Sequence, residues 1–205
     1  LPTFCGHCAV EQRECCTYST WRRSLQLPGK LRCPRHGAPL LQAPDVESFM
    51  EQPSDVLASD RYVELPARVW ADDHPAVVKF AACTQEMLAT CKSWPAGPIR
   101  ARLSHRAELL GLRTSRAGSL PLLSDLVFDT FASAFLEEQF TLSAGKVRGT
   151  IVPSIDYAAI RTGNAPTSTA IALAMSVLYS SPKEALDDFT RVSQHDQWGK
   201  SGRHS

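Results

Sequence analysis

Apolar and polar positions alternate along this chain at helical spacing over most of residues 77–190, and at no regular spacing before them. Val77, Ala81, Thr84, Leu88 and Cys91 recur on one face of a helix, with Phe80 and Met87 beside it, and Asp73 caps it with Pro75 in its first turn. A short basic helix follows from Ile99 to Leu110, closed by Gly111. A longer one opens at Ser119 and Pro121 and carries a continuous stripe of Leu123, Leu126, Val127, Thr130, Phe131, Ala134 and Phe135. The polar turn between these two makes the pair helix-turn-helix-like. After an extended Thr150-Ile151-Val152-Pro153 stretch the same grammar repeats. A short helix at Asp156 to Arg161, a turn at Gly163-Asn164, and a helix from Pro166 to Tyr179 turn Ile171, Ala174, Val177 and Leu178 inward. Ser181-Pro182-Lys183-Glu184 has the capping-box pattern and starts a last helix through Leu186 and Phe189. Residues 193–205 are polar and expected to fray.

Residues 41–76 contain four prolines and many acidic residues and read as an irregular linker. The expected organisation is therefore a small module at 1–43, a linker at 44–76, and helix-turn-helix-like domains at 77–145 and 146–205. The expected fold class is mainly α, with a small zinc-ribbon or knuckle module.

The module is defined by two pairs of metal-ligand residues, Cys5-Gly6-His7-Cys8 and Cys33-Pro34-Arg35-His36, with twenty-four residues between them. Zinc takes four sulfur or nitrogen ligands in a tetrahedron, and a two-residue gap lets both members of a pair reach one ion from a single tight turn. Gly6 and Gly37 favour such turns, and Pro34 presets a turn dihedral. Four protein ligands leave no open position for water, so Cys5, Cys8, Cys33 and His36 predict a structural site rather than a catalytic one. Cys15 and Cys16 keep two alternatives open: either replaces one of these ligands, or they form a second site with His7. Only the four chosen residues stand in matched pairs.

Composition adds little until it is divided along the chain. The 205 residues are 43% hydrophobic and 21% charged with a net charge of +1, ordinary for globular domains. Residues 1–40 hold six Lys/Arg against two Asp/Glu and residues 92–118 hold six against one, whereas 41–91 holds nine acidic against three basic. Residues 119–145 hold four acidic and no basic ones. Two basic blocks thus alternate with acidic ones. Arg22, Arg23, Lys30, Arg32 and Arg35 in the first block can neutralise nucleic-acid phosphates, as can Arg100, Arg102, Arg106, Arg113 and Arg116 in the second. Solvated faces or docks for acidic partners are the plainer reading of the same clusters. Thr167, Ser168 and Thr169 begin a helix whose N-terminal end could approach base edges.

No apolar run approaches the roughly 20 residues that span a bilayer, and no secretory leader is visible. The chain starts at Leu1 without an initiator Met, close before the first ligand, which points to a missing natural N-terminus. Seven cysteines, an odd number, fit a reducing compartment, so the expected location is the cytoplasm. Cys83 and Cys91 lie on a helix and read as core or surface thiols, and His105 as a partly exposed polar residue. Neither a Gly-x-x-x-x-Gly-Lys-Ser/Thr loop nor a His-Glu-x-x-His pair is present. Asp72, Asp73, Asp125 and Asp129 fall in a capping turn and on a helix flank, unlike an acidic catalytic triad. The expectation is a protein that is not an enzyme.

The run from Cys5 to Cys8, then Trp21-Arg22-Arg23-Ser24-Leu25-Gln26-Leu27-Pro28-Gly29, then Cys33 to Gly37 and Leu40, resembles the zinc-binding signature of the TniQ/TnsD family of transposon target-selection proteins. Downstream, Leu109-Leu110-Gly111-Leu112 leading into 120–140, and 166–189, are similar to helical segments of the TnsD branch. The family commonly has His where this chain has Leu25, and His-Pro with a following Arg where it has Ala165-Pro166-Thr167-Ser168, so those family roles do not transfer to Leu25 or Ser168. A helical segment that precedes the family's zinc module has no counterpart here. The resemblance implies a non-enzymatic adaptor, nucleoid-associated when bound. It would hold a structural Zn2+, bind double-stranded DNA at the insertion site, and recruit an AAA+ regulator of the TnsC or TniB type that engages the transposase. The competing expectations are an adaptor docking on an RNA-guided, CRISPR-type complex with little DNA contact, and a zinc-ribbon transcription regulator.

Overall fold

The computed structural model describes residues 1–65, 74–90, 95–140, 142 and 145–200, the last nine of these and residues 138 and 139 as backbone only. Asp72, Asp73, Cys91 and the cap proposed at Asp73 lie outside the described residues. The chain divides into two compact units, Leu1–Val77 and Val78–Ser205. No helix among the described residues is long and apolar enough to cross a membrane.

The first unit is built on a three-stranded antiparallel sheet whose strands are two residues each. β1 (Thr3–Phe4) pairs with β2 (Leu41–Gln42), and β2 with β3 (Val63–Glu64), in the order β1-β2-β3. Such strands supply too little pairing to stand alone. They are held by α1 (Gly6–Cys16), α2 (Pro53–Ala58) and two small apolar clusters. One cluster joins Phe4, Ala9, Ala43 and Val56, with Trp21, Leu41, Leu57 and Tyr62 packed around it. Trp21 meets Phe4 and Phe49 edge-on at 5.6 and 5.2 Å and donates its indole N–H to Glu51 O at 2.8 Å. The other cluster contains Cys5, Cys8, Leu25, Cys33 and Leu40. Arg13 spans α1 to α2 through Asp55 at 2.6 Å.

Of the stretch 44–76, the described residues 44–65 belong to the first unit. They contribute α2, β3 and a 3-10 turn at Glu47–Met50 to the first unit. Two-residue strands and a six-residue helix are too short to leave a period in the sequence, which is why the segment reads as irregular. Gly6 also has a different role from the one expected. It is the first residue of α1, and a Cβ there would meet Leu41 and Leu57 at 3.4–3.9 Å, ordinary van der Waals contact, so this position does not require glycine. Gly37, with φ of +64°, does occupy the left-handed turn position.

The second unit is mainly helical: from Val78 it takes in most of α3 (Pro75–Ala89), then α4 (Ala96–Leu109), α5 (Leu123–Thr130), α6 (Ser133–Phe140), α7 (Pro153–Asp156), α8 (Ser168–Leu178) and α9 (Pro182–Lys200). α8 packs against α4, α5, α7 and α9, and every residue from Ala170 to Ser176 is buried. The buried face of α3 is Ala76, Val77, Phe80 and Cys83, rotated from the expected stripe because Phe80 is the anchor. Its ring lies 6.3, 5.9 and 5.7 Å from Phe131, Phe135 and Phe140. Cys83 is a core thiol, pushed up to about 11 by burial.

The long helix expected from Ser119 is broken in two. Its first half begins after Leu122, whose N–H donates to Asp125 Oδ2 at 2.8 Å, and it ends at Phe131 in extended conformation (φ −103°, ψ 147°). Thr130 Oγ1 donates back to Leu126 O at 2.6 Å, the local hydrogen bond by which threonine loosens a helix end. The apolar stripe continues across the break because Phe131 and Phe135 still stack, at 5.3 Å. The short helix expected at 156–161 instead spans Pro153–Asp156, because Pro153 suits the first helical position and the Asp156 carboxylate accepts from Val152 N at 2.6 Å. Gly111 closes α4 at φ +73° as expected. α9 is helical to Lys200, started by Ser181 Oγ accepting from Glu184 N at 3.2 Å.

Replacing Phe80 by Ala should cost the second unit about 3–5 kcal/mol, since the cavity left among three aromatic rings cannot collapse. Urea unfolding monitored by circular dichroism reads the loss, and a change under about 1 kcal/mol would show that this cluster is not its core.

Candidate metal centre

Both half-sites arise from ordinary backbone devices. Cys5 is the N-cap of α1, with extended dihedrals, and Cys8 lies in the helix's first turn, where Ala9 N bonds Cys5 O at 3.0 Å. The second half-site is the tip of a hairpin closed by the Arg32–Pro39 bridge and by Cys33 N to Ala38 O at 2.8 Å. Gly37 N then returns to Cys33 O at 2.8 Å, so the left-handed glycine completes the knuckle.

Folding brings Cys5, Cys8, Cys33 and His36 together with all four ligand atoms within 4.8 Å of one another. Cys8 Sγ lies 3.7 Å from Cys33 Sγ, and His36 Nδ1 lies 3.5, 3.4 and 3.6 Å from the sulfurs of Cys5, Cys8 and Cys33. A tetrahedron around zinc, with bonds of about 2.3 Å to sulfur and about 2.0–2.1 Å to nitrogen, has edges of about 3.8 Å between sulfurs and about 3.5 Å between sulfur and nitrogen. The spacing fits such an ion. The three cysteines are buried and His36 is half-buried, while Leu25 and Leu40 form the apolar wall.

Electrostatics favour the same reading. Burial pushes the Cys8 thiol up to about 12, with the neighbouring Cys33 sulfur adding to it, and burial raises Cys5 as well. Burial acts against the Cys33 thiolate too, but the backbone N–H groups of His36 and Arg35 point at its sulfur and bring it down to about 7. Three sulfurs so close cannot all ionise without a cation among them.

His36 is oriented by a residue that the ligand pattern does not include. Its Nε2 meets Glu11 Oε1 at 3.0 Å, leaving Nδ1 toward the sulfurs, the arrangement by which a carboxylate fixes the tautomer of a metal-bound histidine. The hydrogen bond from His36, with Arg35 at 2.9 Å from Oε2, holds the Glu11 carboxyl below its ordinary range. Glu11 sits three residues after Cys8 on α1, and that helical spacing is the sequence signal for it. Cys15 and Cys16 are exposed at the far end of α1 and do not belong to the cluster, nor does His7, whose ring stands 5.4 Å from that of His36.

The candidate DNA-contacting residues divide into two kinds. Arg22 and Arg23 precede Leu25 with no ion pair among the described residues, and Arg23 is exposed. Arg32 Nη1 donates to Gly37 O at 3.1 Å, and Lys30 N bonds Leu27 O to close the turn that holds it. Arg35 is paired with Glu11, as above. In the second unit the guanidiniums are committed internally. Arg100 donates to Gly163 O at 3.2 Å and to Asn164 O, Arg113 to Gly149 O at 2.9 Å and to Gly118 O. Arg106 holds Leu178 O at 2.9 Å and Glu184 at 3.0 Å and lies over the Tyr179 ring, and Arg102 faces Asp188 at 3.9 Å. Arg116 stands over the Tyr157 ring. Thr167 caps α8 by accepting from Ala170 N at 3.1 Å, with Ser168 exposed and Thr169 half-buried beside it. Beyond that first turn α8 is buried on nearly all sides, which leaves its N-terminal turn as the part open to a partner.

Asp125, Asp129 and Asp156 are each engaged within the second unit. Asp125 accepts from Leu122 N and Gly149 N and pairs with buried Lys146, contacts that outweigh its burial and lower its pKa. Asp156 is fully buried and accepts from Ser124 N and Oγ at 2.7 and 2.8 Å. Asp129 pairs with Arg148 at the surface.

No protein-family model matches this chain, and no curated protein matches it.

Glu11→Gln should weaken metal binding about 10–100-fold while leaving a stoichiometry of one, as removal of an orienting carboxylate does. Competition with a chromophoric chelator measures it. Cys5 and Cys8 are protonated at pH 7 and Cys33 about half so, hence binding one ion should release roughly two to three protons and weaken as pH falls. Titration calorimetry in buffers of different ionisation enthalpy counts them, and fewer than about one would exclude a thiolate-bound ion.

Proposed function

We propose that this chain is a non-enzymatic adaptor of DNA transposition that selects the insertion site, holds a structural Zn2+ at Cys5, Cys8, Cys33 and His36, and contacts DNA through its first unit. The observation that carries the reading is the way the segment between the half-sites is used. Leu25 is buried against the cluster, and this fixes Trp21, Arg22 and Arg23 beside it with both arginines free of carboxylate partners among the described residues. A metal-closed cluster is a rigid platform, and arginines beside it without an ion pair among the described residues suit phosphate contact. The resemblance of residues 5–40 to the TniQ/TnsD signature supplies the biological setting, including recruitment of an AAA+ ATPase.

The second unit favours the docking variant of the same role. Its arginines serve helix ends and loops, and the helix whose first turn could read bases is the centre of its core. In this reading the DNA footprint is small and the helical unit engages protein, either the ATPase or an RNA-guided complex.

The test is fluorescence-anisotropy binding of the zinc-loaded chain to duplex DNA over a salt series. Replacing Arg22 and Arg23 together by Glu should reduce the slope of log K against log salt by about 2, near 0.9 for each phosphate no longer neutralised. An unchanged slope would remove Arg22 and Arg23 from the footprint. Arg113→Glu should lower the melting temperature, because it cuts the ties to Gly118 and Gly149.

A further inference from the structure

A groove of about 460 Å3 opens in the first unit beside the metal centre, within the usual ~300–1,000 Å3 range of ligand pockets. Its floor is apolar and comes from separate elements: Val10 of α1, Pro39 of the knuckle hairpin, Leu41 of β2 and Leu57 of α2. Gly6 at the start of α1 lies against Leu41 and Leu57, so the helix borders the floor directly. Val10 is 44% exposed, an aliphatic side chain left open to the groove. The charged lining is one-sided: Glu11 and Glu64 stand beside His7, with neither Lys nor Arg among the described residues. Glu11 is occupied by His36 and Arg35, whereas exposed Glu64 has no ion pair among the described residues.

Register makes this combination specific. Leu41 and Glu64 are directly paired across β2 and β3, so their side chains stand on the same face of the sheet. An apolar surface with a carboxylate at its rim is the complement of a Lys or Arg side chain, which buries its methylene stem and keeps its charged head at an acid. We propose that this groove binds a short basic peptide segment of a protein partner, seating one Lys or Arg stem on Leu41 and Leu57 with its head on Glu64, and a neighbouring aliphatic side chain against Val10 and Pro39. The site goes beyond the DNA-contacting role, since it selects positive rather than negative charge.

The probes are two end-blocked hexapeptides, one alternating Leu and Lys, the other Leu and Glu, titrated into the 15N-labelled, zinc-loaded full chain. The Leu–Lys peptide should shift the amides of Val10, Leu41 and Leu57 and bind at least about tenfold tighter than the Leu–Glu peptide, in keeping with one charge pair at a partly desolvated rim. Glu64→Lys, at an exposed position that should not disturb folding, should reverse the order. Equal affinities, shifts confined to other residues, or an order unchanged in the Glu64→Lys protein would overturn the proposal. DNA binding of the same variant should keep its salt slope, which separates a failed groove from a failed DNA reading.

Discussion

The closeness of three sulfurs and one imidazole nitrogen is the constraint on which the first unit rests. Its strands pair over two residues, its helices are short, and its two apolar clusters are small, so little else joins residues 5–8 to residues 33–36. Zinc held by such a set contributes ~10–16 kcal/mol to small domains at neutral pH, more than the net stability of most domains. The surroundings are arranged for that contact. Leu25 and Leu40 exclude water from it, Glu11 turns the imidazole, and backbone N–H groups of the knuckle stabilise the Cys33 thiolate.

The second unit obeys different physics. Its stability comes from burying α8 and the ring cluster around Phe80, and its polar groups serve that packing. Arg106 holds the last carbonyl of α8 and Lys79 the one after it, which places cations at the negative end of the helix dipole. Asp125 and Asp156 bind the 146–152 stretch to α5 through backbone N–H groups and Lys146. The arginines at 100–116 thus meet carbonyls, carboxylates or rings of their own unit, whereas Arg22 and Arg23 have no ion pair among the described residues. Charge segregation along a chain and charge available at its surface are different quantities, and only the second can steer a partner.

The Cys/His cluster was legible because metal ligation demands particular residue types at a fixed short spacing, and two such pairs stand out along the chain. Most helices were legible for the analogous reason that a period of about 3.6 residues survives over eight or more positions. Gly111 and Ser181 worked as punctuation because the backbone states they permit are local. These features needed only neighbours within a turn or two of chain.

What the tertiary structure decided are matters of pairing between distant residues. That Val63–Glu64 completes the sheet depends on Leu41 meeting Glu64, an alignment invisible in strands of two residues. Which arginines remain available depends on carbonyls up to 72 residues away, as for Arg106 and Leu178. The break after Thr130 and the turning of α3 onto Phe80 follow from how four phenylalanine rings fill one space, and the burial of α8 follows from which helices surround it. A sequence fixes the local preferences of each residue, while the identity of its partner is set only when the chain closes on itself, because burial and electrostatic pairing are properties of space rather than of order along the chain.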